Sequence, residues 1–261
     1  MPSFPVLPKR ELGQHFLVDE NILGVAGRLA ELEPDDVVLE VGAGLGVLTA
    51  YLAERVRLVH AVEVDRALEP HLRERLAGRT NVELVFADAL ALPLGAFDPP
   101  PAKLVANLPY QVATPLVVES LDGLPTVGLW CVMVQREVAD RFFARPRTKS
   151  YGAVSVLVQL TAERTGFHPV ARTCFHPPPN VDSALVAFRR RVDWDERFGP
   201  LKRLVQDAFA HRRKTLANSL ALHGLERERV ARALEALGFE PDARAEALAP
   251  EDFVRLAGEL A

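Results

Sequence analysis

Short runs of Val and Leu alternate with amphipathic stretches through the first two thirds of the chain. Residues 37–41, 58–64, 82–86, 103–106 and 128–134 are mostly apolar and bounded by turn residues, as buried strands are. Between them, Ile22, Ala26, Leu29 and Ala30 share one helical face behind a capping Asp19, and Pro34 closes that helix. Leu68, Leu72 and Leu76 recur every four residues. Thr114-Pro115 ahead of Leu116-Val117-Val118 predicts a helix with Thr as its cap and Pro at the first helical position, where its missing N–H costs nothing. Apolar strands separated by helices predict an α/β fold with a parallel sheet covered on both faces. The last strand-like run is 184–188, and the pattern from Val192 onward is helical only. Val230, Ala233, Leu234 and Leu237 form a stripe ended by Gly238, and Phe253, Leu256 and Leu260 follow Pro250-Glu251-Asp252. A boundary near 191–200 therefore divides a sheet domain, 1–193, from a small all-α domain, 194–261.

The 261 residues are 49% apolar and 25% charged, with a net charge of −4, so no overall basic excess points to nucleic acid. The average hides a gradient: residues 1–188 carry −5, whereas 189–214 carry +5. Cys131 and Cys174 cannot build a disulfide framework, and no Cys or His spacing suggests a metal site. The longest strongly apolar run, 127–134, is too short to span a membrane. Met1 to Pro8 hold three prolines and no apolar core, so no secretory leader is expected, and a cytoplasmic protein is. The seven histidines are scattered and read as surface residues.

Ligands on parallel sheets sit at the carboxyl ends of the strands, so the chemistry is sought there. After the first strand comes Glu40-Val41-Gly42-Ala43-Gly44-Leu45-Gly46, a G-x-G-x-G turn. Its glycines let the backbone approach a ligand closely, but the spacing is shorter than the dinucleotide fingerprint and disfavours a dehydrogenase. The second strand ends in Val62-Glu63-Val64-Asp65, where an acidic residue suits ribose hydroxyls; Glu63 and Asp65 share strand parity, and the pattern does not choose between them. Asp88, before Ala89 at the end of the third strand, either accepts from an adenine amino group or caps the next turn. The fourth ends in Asn107-Leu108-Pro109-Tyr110.

That last run resembles the N/D-P-P-Y/F motif of methyltransferases that modify exocyclic amines. The adenine amine is a poor nucleophile because its lone pair is delocalised. Acceptors at the Asn107 side chain and the Leu108 carbonyl would take its two hydrogens and favour a tetrahedral nitrogen. Pro109 fixes the backbone, and Tyr110 offers a face for the base.

With this motif in place, most of the chain resembles the ribosomal RNA adenine dimethyltransferase family. Leu12-Gly13-Gln14-His15-Phe16-Leu17 is similar to the family's G-Q-N/H-F-L segment, which folds over S-adenosylmethionine (SAM). Val134-Gln135-Arg136-Glu137-Val138-Ala139 matches another family run. Phe175-His176-Pro177-Pro178-Pro179-Asn180-Val181-Asp182-Ser183 resembles its F-x-P-x-P-x-V-x-S signature, and 209–220 is similar to a family helix. The resemblance implies a Rossmann-like SAM-dependent methyltransferase sheet whose N-terminal segment, 1–20, closes over SAM. It places His15, Leu17, Gly42, Gly44, Gly46, Glu63, Asp88, Ala89 and Asn107 around the cofactor. Phe175 would pack on the flipped base opposite Tyr110. No metal is implied.

The expected partner is 16S rRNA within the 30S subunit or its precursor, bound by a monomer, with two adjacent adenines dimethylated. A 23S rRNA methyltransferase of the antibiotic-resistance type, or an assembly factor acting chiefly by binding, are the alternatives. Residues 136–149 carry +3, and Arg136, Arg145, Arg147 and Lys149 read as an RNA-contacting rim. On a continuous helix over 209–220, Arg213 would lie beside Phe209 as a structural arginine, leaving Arg212 and Lys214 for phosphates. Cys174 reads as a small filler, because amine methylation needs no covalent intermediate.

Overall fold

A computed structural model describes residues 6–194 and 196–261 of the chain; the leader reading of Met1 to Pro8 and the expected 1–20 closing segment thus fall in part, at 1–5, outside the described residues. Two compact units are formed, one from residues 1–139 and 163–190, the other from 140–162 and 191–261.

The first unit is built on a sheet. A two-residue strand β1 (Phe16–Leu17) leads into helix α1 (Glu20–Leu29), whose N-terminus is capped by the Asp19 carboxylate accepting from Asn21 N. Then follow β2 (Val37–Val41), α2 (Val47–Ala53), β3 (Leu58–Glu63), α3 (Glu69–Arg75), β4 (Val82–Phe86), β5 (Lys103–Asn107), α4 (Ala113–Gly123), β6 (Leu129–Gln135) and α5 (Arg136–Phe142). All five residues of β2 are buried, as a central strand covered on both faces requires. Helix α4 starts one residue before Thr114, with Val112 at its cap position and Pro115 third in the helix, still among the N–H groups that need no helical partner.

Helix α6 (Ala153–Thr161) precedes three further strands: β7 (Ala162–Val170), β8 (Phe175–His176) and β9 (Ser183–Arg190). The seven-stranded order is β4-β3-β2-β5-β6-β9-β7, and β1 pairs with β8 in a separate ladder. Strands β4 to β6 are mutually parallel, but β9 runs antiparallel to β6, with Gln135 opposite Ser183, so the sheet is mixed rather than parallel throughout. Strand β7 escapes the periodicity because it lies at the sheet edge, where Glu163, Arg164, Thr165 and Pro169 are exposed and charge and proline are tolerated. It carries His168, and β8 carries His176, while His60 is buried in β3.

The second unit is helical. Helix α6 packs against α7 (Phe198–Phe209) and α10 (Pro250–Glu259), with α8 (Leu216–Ala221) and α9 (Arg227–Ala236) completing it. Its core includes Phe209 against the rings of Tyr151 and Phe253, each at 5.8 Å, and the Tyr151 hydroxyl donates to Leu248 O. Against the expected division at 193/194, this unit also takes in 140–162. The expected single helix over 209–220 is two: α7 ends at Phe209, and α8 begins after Thr215, whose hydroxyl accepts from Asn218 N. Arg213 accordingly stands exposed on the turn between them, not against Phe209.

Candidate active site

The carboxyl ends of β2, β3 and β5 converge on one cavity of about 80 Å³. Its lining includes His15, Leu17, Gly42, Gly44, Glu63, Asn107, Leu108, Pro109 and Tyr110 from the expected set. The turn after β2 passes through positive φ at Gly42 (82°) and Gly44 (58°), a region that side chains rarely adopt. A Cβ at position 42 would also sit 3.1 Å from Pro109 Cδ, so the glycine turn and the Asn107–Tyr110 run are in direct contact.

The Glu63 carboxylate accepts from Gly44 N and Asp65 N, each at 2.8 Å, and is almost fully buried. Asp65, by contrast, turns away: its oxygens accept from Lys9 Nζ (2.7 Å), Gln14 Nε2 (2.9 Å) and Ala67 N (3.0 Å). Burial pushes its pKa up, but those hydrogen bonds together hold it below the usual carboxylate range. The parity ambiguity between the two acids is thus separated by geometry, with Glu63 on the cavity and Asp65 on the N-terminal segment.

Asn107 donates from Nδ2 to His15 O at 3.3 Å. A carbonyl only accepts, so this contact fixes the orientation of the amide and leaves Oδ1 as its acceptor face. Leu108 N–H is spent on Met133 O. The Tyr110 hydroxyl bonds the Ser183 hydroxyl at 2.6 Å, and its ring lies 5.6 Å from that of His15, whose Nδ1 bonds Pro177 O.

Four expected residues lie elsewhere. Gly46 caps α2 and faces Leu72 and Arg75. Asp88 is exposed and caps the turn through Leu90 N, with Ala89 buried behind it. Phe175, opposite Leu17 in the β1–β8 ladder, is buried in the core, so the ring facing Tyr110 here is that of His15. Sequence reasoning missed Glu40 and Val64 as lining residues. Glu40 is 1% exposed, its Oε2 has no hydrogen-bond partner, and burial, opposed by the nearby Thr49 and reinforced by Glu63, pushes its pKa from 4.5 up to about 8. Among the described residues no group of acidic, His or Cys side chains is arranged to hold a metal.

Of the basic candidates, Arg136 is exposed in the sheet unit, and Arg145, Arg147, Lys149 and Lys214 are exposed in the helical one. Arg212 is committed within its own unit, donating to Lys149 O (3.0 Å) and Tyr151 O (3.3 Å) and lying 4.0 Å from Glu246. Its structural role exchanges with that expected of Arg213.

The profile of the ribosomal RNA adenine dimethylase family matches residues 7–261. The ribosomal RNA small subunit methyltransferase A of Rubrobacter xylanophilus is 50% identical over 95% of this chain and 94% of its own. That of Moorella thermoacetica is 41% identical over 98% and 93%. Among solved structures, a dimethyladenosine transferase from Plasmodium falciparum superposes with a TM-score of 0.79 at 25% identity, covering 94% of this chain and 97% of that one. The 23S rRNA methyltransferase ErmE gives a TM-score of 0.66 at 33% identity over 94% and 99%.

Proposed function

Because the chain belongs to the ribosomal RNA adenine dimethylase family, we propose that it dimethylates the exocyclic amines of two adjacent adenines in 16S rRNA of the small ribosomal subunit, with SAM as methyl donor. The observation that carries this reading is the contact of the Gly42 turn with Pro109, which sets a glycine cradle beside an amide whose acceptor face is fixed. Small-subunit relatives at 41–50% identity favour 16S over 23S rRNA, since the 23S enzyme is 33% identical.

The cavity fits SAM chemically. A Cβ at Gly42 or Gly44 would crowd Pro109 or Phe16, and an unbonded Glu40 oxygen waits among the lining residues. In this reading the Gly42 turn takes the methionine end, Glu63 the ribose and the outward Asp88 the adenine amine. SAM supplies a methyl already activated on a sulfonium, so the protein's part is positioning; orientation of this kind contributes up to about 7–11 kcal/mol. The target adenine leaves its stack to enter. Asn107 Oδ1 and the Leu108 carbonyl accept its amine hydrogens and aim the nitrogen lone pair, and Tyr110, braced by Ser183, offers it a face. Glu63→Ala should weaken SAM binding by about 1.5–3 kcal/mol in calorimetry, the loss of charge-assisted hydrogen bonds. Unchanged affinity would move the ribose contact elsewhere.

RNA recognition is assigned to Arg136, Arg145, Arg147, Lys149, Arg213 and Lys214. Among the described residues no helix is long and apolar enough to cross a membrane; a cytoplasmic monomer goes with this reading. Since 140–162 belong to the helical unit, deleting 194–261 would strip α7 and α10 from α6, so charge substitution is the sounder probe. The test is incubation of the protein and labelled SAM with unmethylated 30S subunits, then mass spectrometry of the digested 16S rRNA; absence of dimethyladenosine would refute the assignment. Arg213→Ala and Lys214→Ala should each flatten the log–log salt slope of subunit binding by about 0.7–0.9 with thermal stability unchanged. Arg212→Ala should lower the melting temperature instead. A slope unmoved by both of the first two would take the α7–α8 turn out of the RNA contact.

A further inference from the structure

The cavity is roofed by residues 12–17, and the two halves of this roof are held differently. The later half is stitched into the body by the β1–β8 ladder and by His15 Nδ1 on Pro177 O. The earlier half is held at Asp65, which takes the Lys9 ammonium on Oδ1 and the Gln14 amide on Oδ2. Lys9 and Gln14 are also joined to each other, Lys9 N donating to Gln14 Oε1 and Gln14 N donating to Lys9 O, so both arms move as one piece. Gly13, at φ 62° and with nothing within 4 Å of where a Cβ would be, lies inside this piece, between its two arms. A segment without side-chain packing at its middle is thus pinned at one carboxylate.

Capping does not account for this use of Asp65. The short 3₁₀ turn that it opens, Arg66–Leu68, needs only one oxygen, for Ala67 N. The carboxylate is buried while the Lys9 side chain is 42% exposed, so this ion pair is only partly screened and yet can be released to water. Asp65 N donates in turn to Glu63 Oε1, which ties the pin to the acid on the cavity.

We propose that Asp65 is a positioning residue, a latch that acts through Lys9 and Gln14 to hold the roof shut and so sets the rate at which SAM enters and leaves. This rests on SAM as the occupant of the cavity. Release of the latch lets residues 9–14 swing as one piece about the Gln14–His15 junction, while His15 stays on Pro177 O and Phe16 and Leu17 stay in their ladder.

The test uses the full chain with Asp65→Ala, Lys9→Met and Gln14→Leu. Without SAM, hydrogen exchange at the Leu12 and Gln14 amides, both bonded to Lys9 O, should quicken by about tenfold in each variant. In stopped flow, SAM should dissociate about tenfold faster and its KM should rise, with kcat within about twofold of the wild type. Lys9→Arg should restore all three values. Should Asp65→Ala fail to fold, the two substitutions on the roof itself carry the test. Unchanged exchange and dissociation in Lys9→Met and Gln14→Leu would overturn the latch, as would a fall in kcat at constant KM. A wild-type protein that does not bind SAM would overturn the cofactor reading instead, and the exchange measurement would still decide whether the roof is latched.

Discussion

Asn107→Ala is expected to lower single-turnover methylation of the 30S subunit by about 10²–10³-fold, the range seen when one preorganised polar contact to a reacting group is removed. SAM affinity, measured by calorimetry, should change by less than about tenfold, since the Gly42 turn and Glu63 are untouched. The size of the loss follows from the geometry. Asn107 ends β5 in register with Met133, beside the Gly42 turn, and its Nδ2 is already committed to His15 O. The acceptor face is therefore set before any base arrives, and no reorganisation is required at the moment of transfer. Alanine removes that acceptor and leaves the His15 carbonyl without its donor. Asn107→Asp keeps an acceptor but cannot donate to His15 O, so it should fall between the two. A normal rate in Asn107→Ala would show that the amine is oriented by other groups.

The strand ends were legible because a parallel sheet confines its ligand chemistry to them. Gly42 and Asn107 could be named from position alone, Glu63 only as one of a pair with Asp65, and all three line the cavity. What escaped the sequence depended on contacts made far along the chain. The reversal of β9 is a choice of partner: its continuous buried run reads the same in either direction. The break between α7 and α8 has no Gly or Pro to announce it; Thr215 caps the second helix, and Arg212 bonds carbonyls some sixty residues earlier. Phe175 carries a binding signature in its sequence and a core residue's burial in the fold, because the short β1–β8 ladder turns it inward. Asp65 looked equivalent to Glu63 until the chain from Lys9 to Gln14 was laid across it.

Glu40 is the buried group that the alternation concealed, for in a strand of Val and Leu it read as part of the glycine turn. Its carboxyl is buried, has no hydrogen bond on Oε2 and lies near Glu63, so the protonated form is favoured and the pKa rises from 4.5 to about 8. A raised folded-state pKa means that the native protein holds a proton that the unfolded chain gives up. The stabilisation is complete below about pH 4.5 and is lost progressively as pH climbs through 8. Over that window the shift corresponds to about 5 kcal/mol, at 1.36 kcal/mol per unit. Glu40→Gln, neutral at every pH and close in shape, removes the dependence. Without SAM, its melting temperature relative to the wild type should therefore rise between pH 5 and about pH 8 and level off above it. Parallel melting curves for the two proteins over that range would mean that Glu40 is already ionised in the fold, with Thr49 or solvent supplying the partner that its Oε2 lacks here.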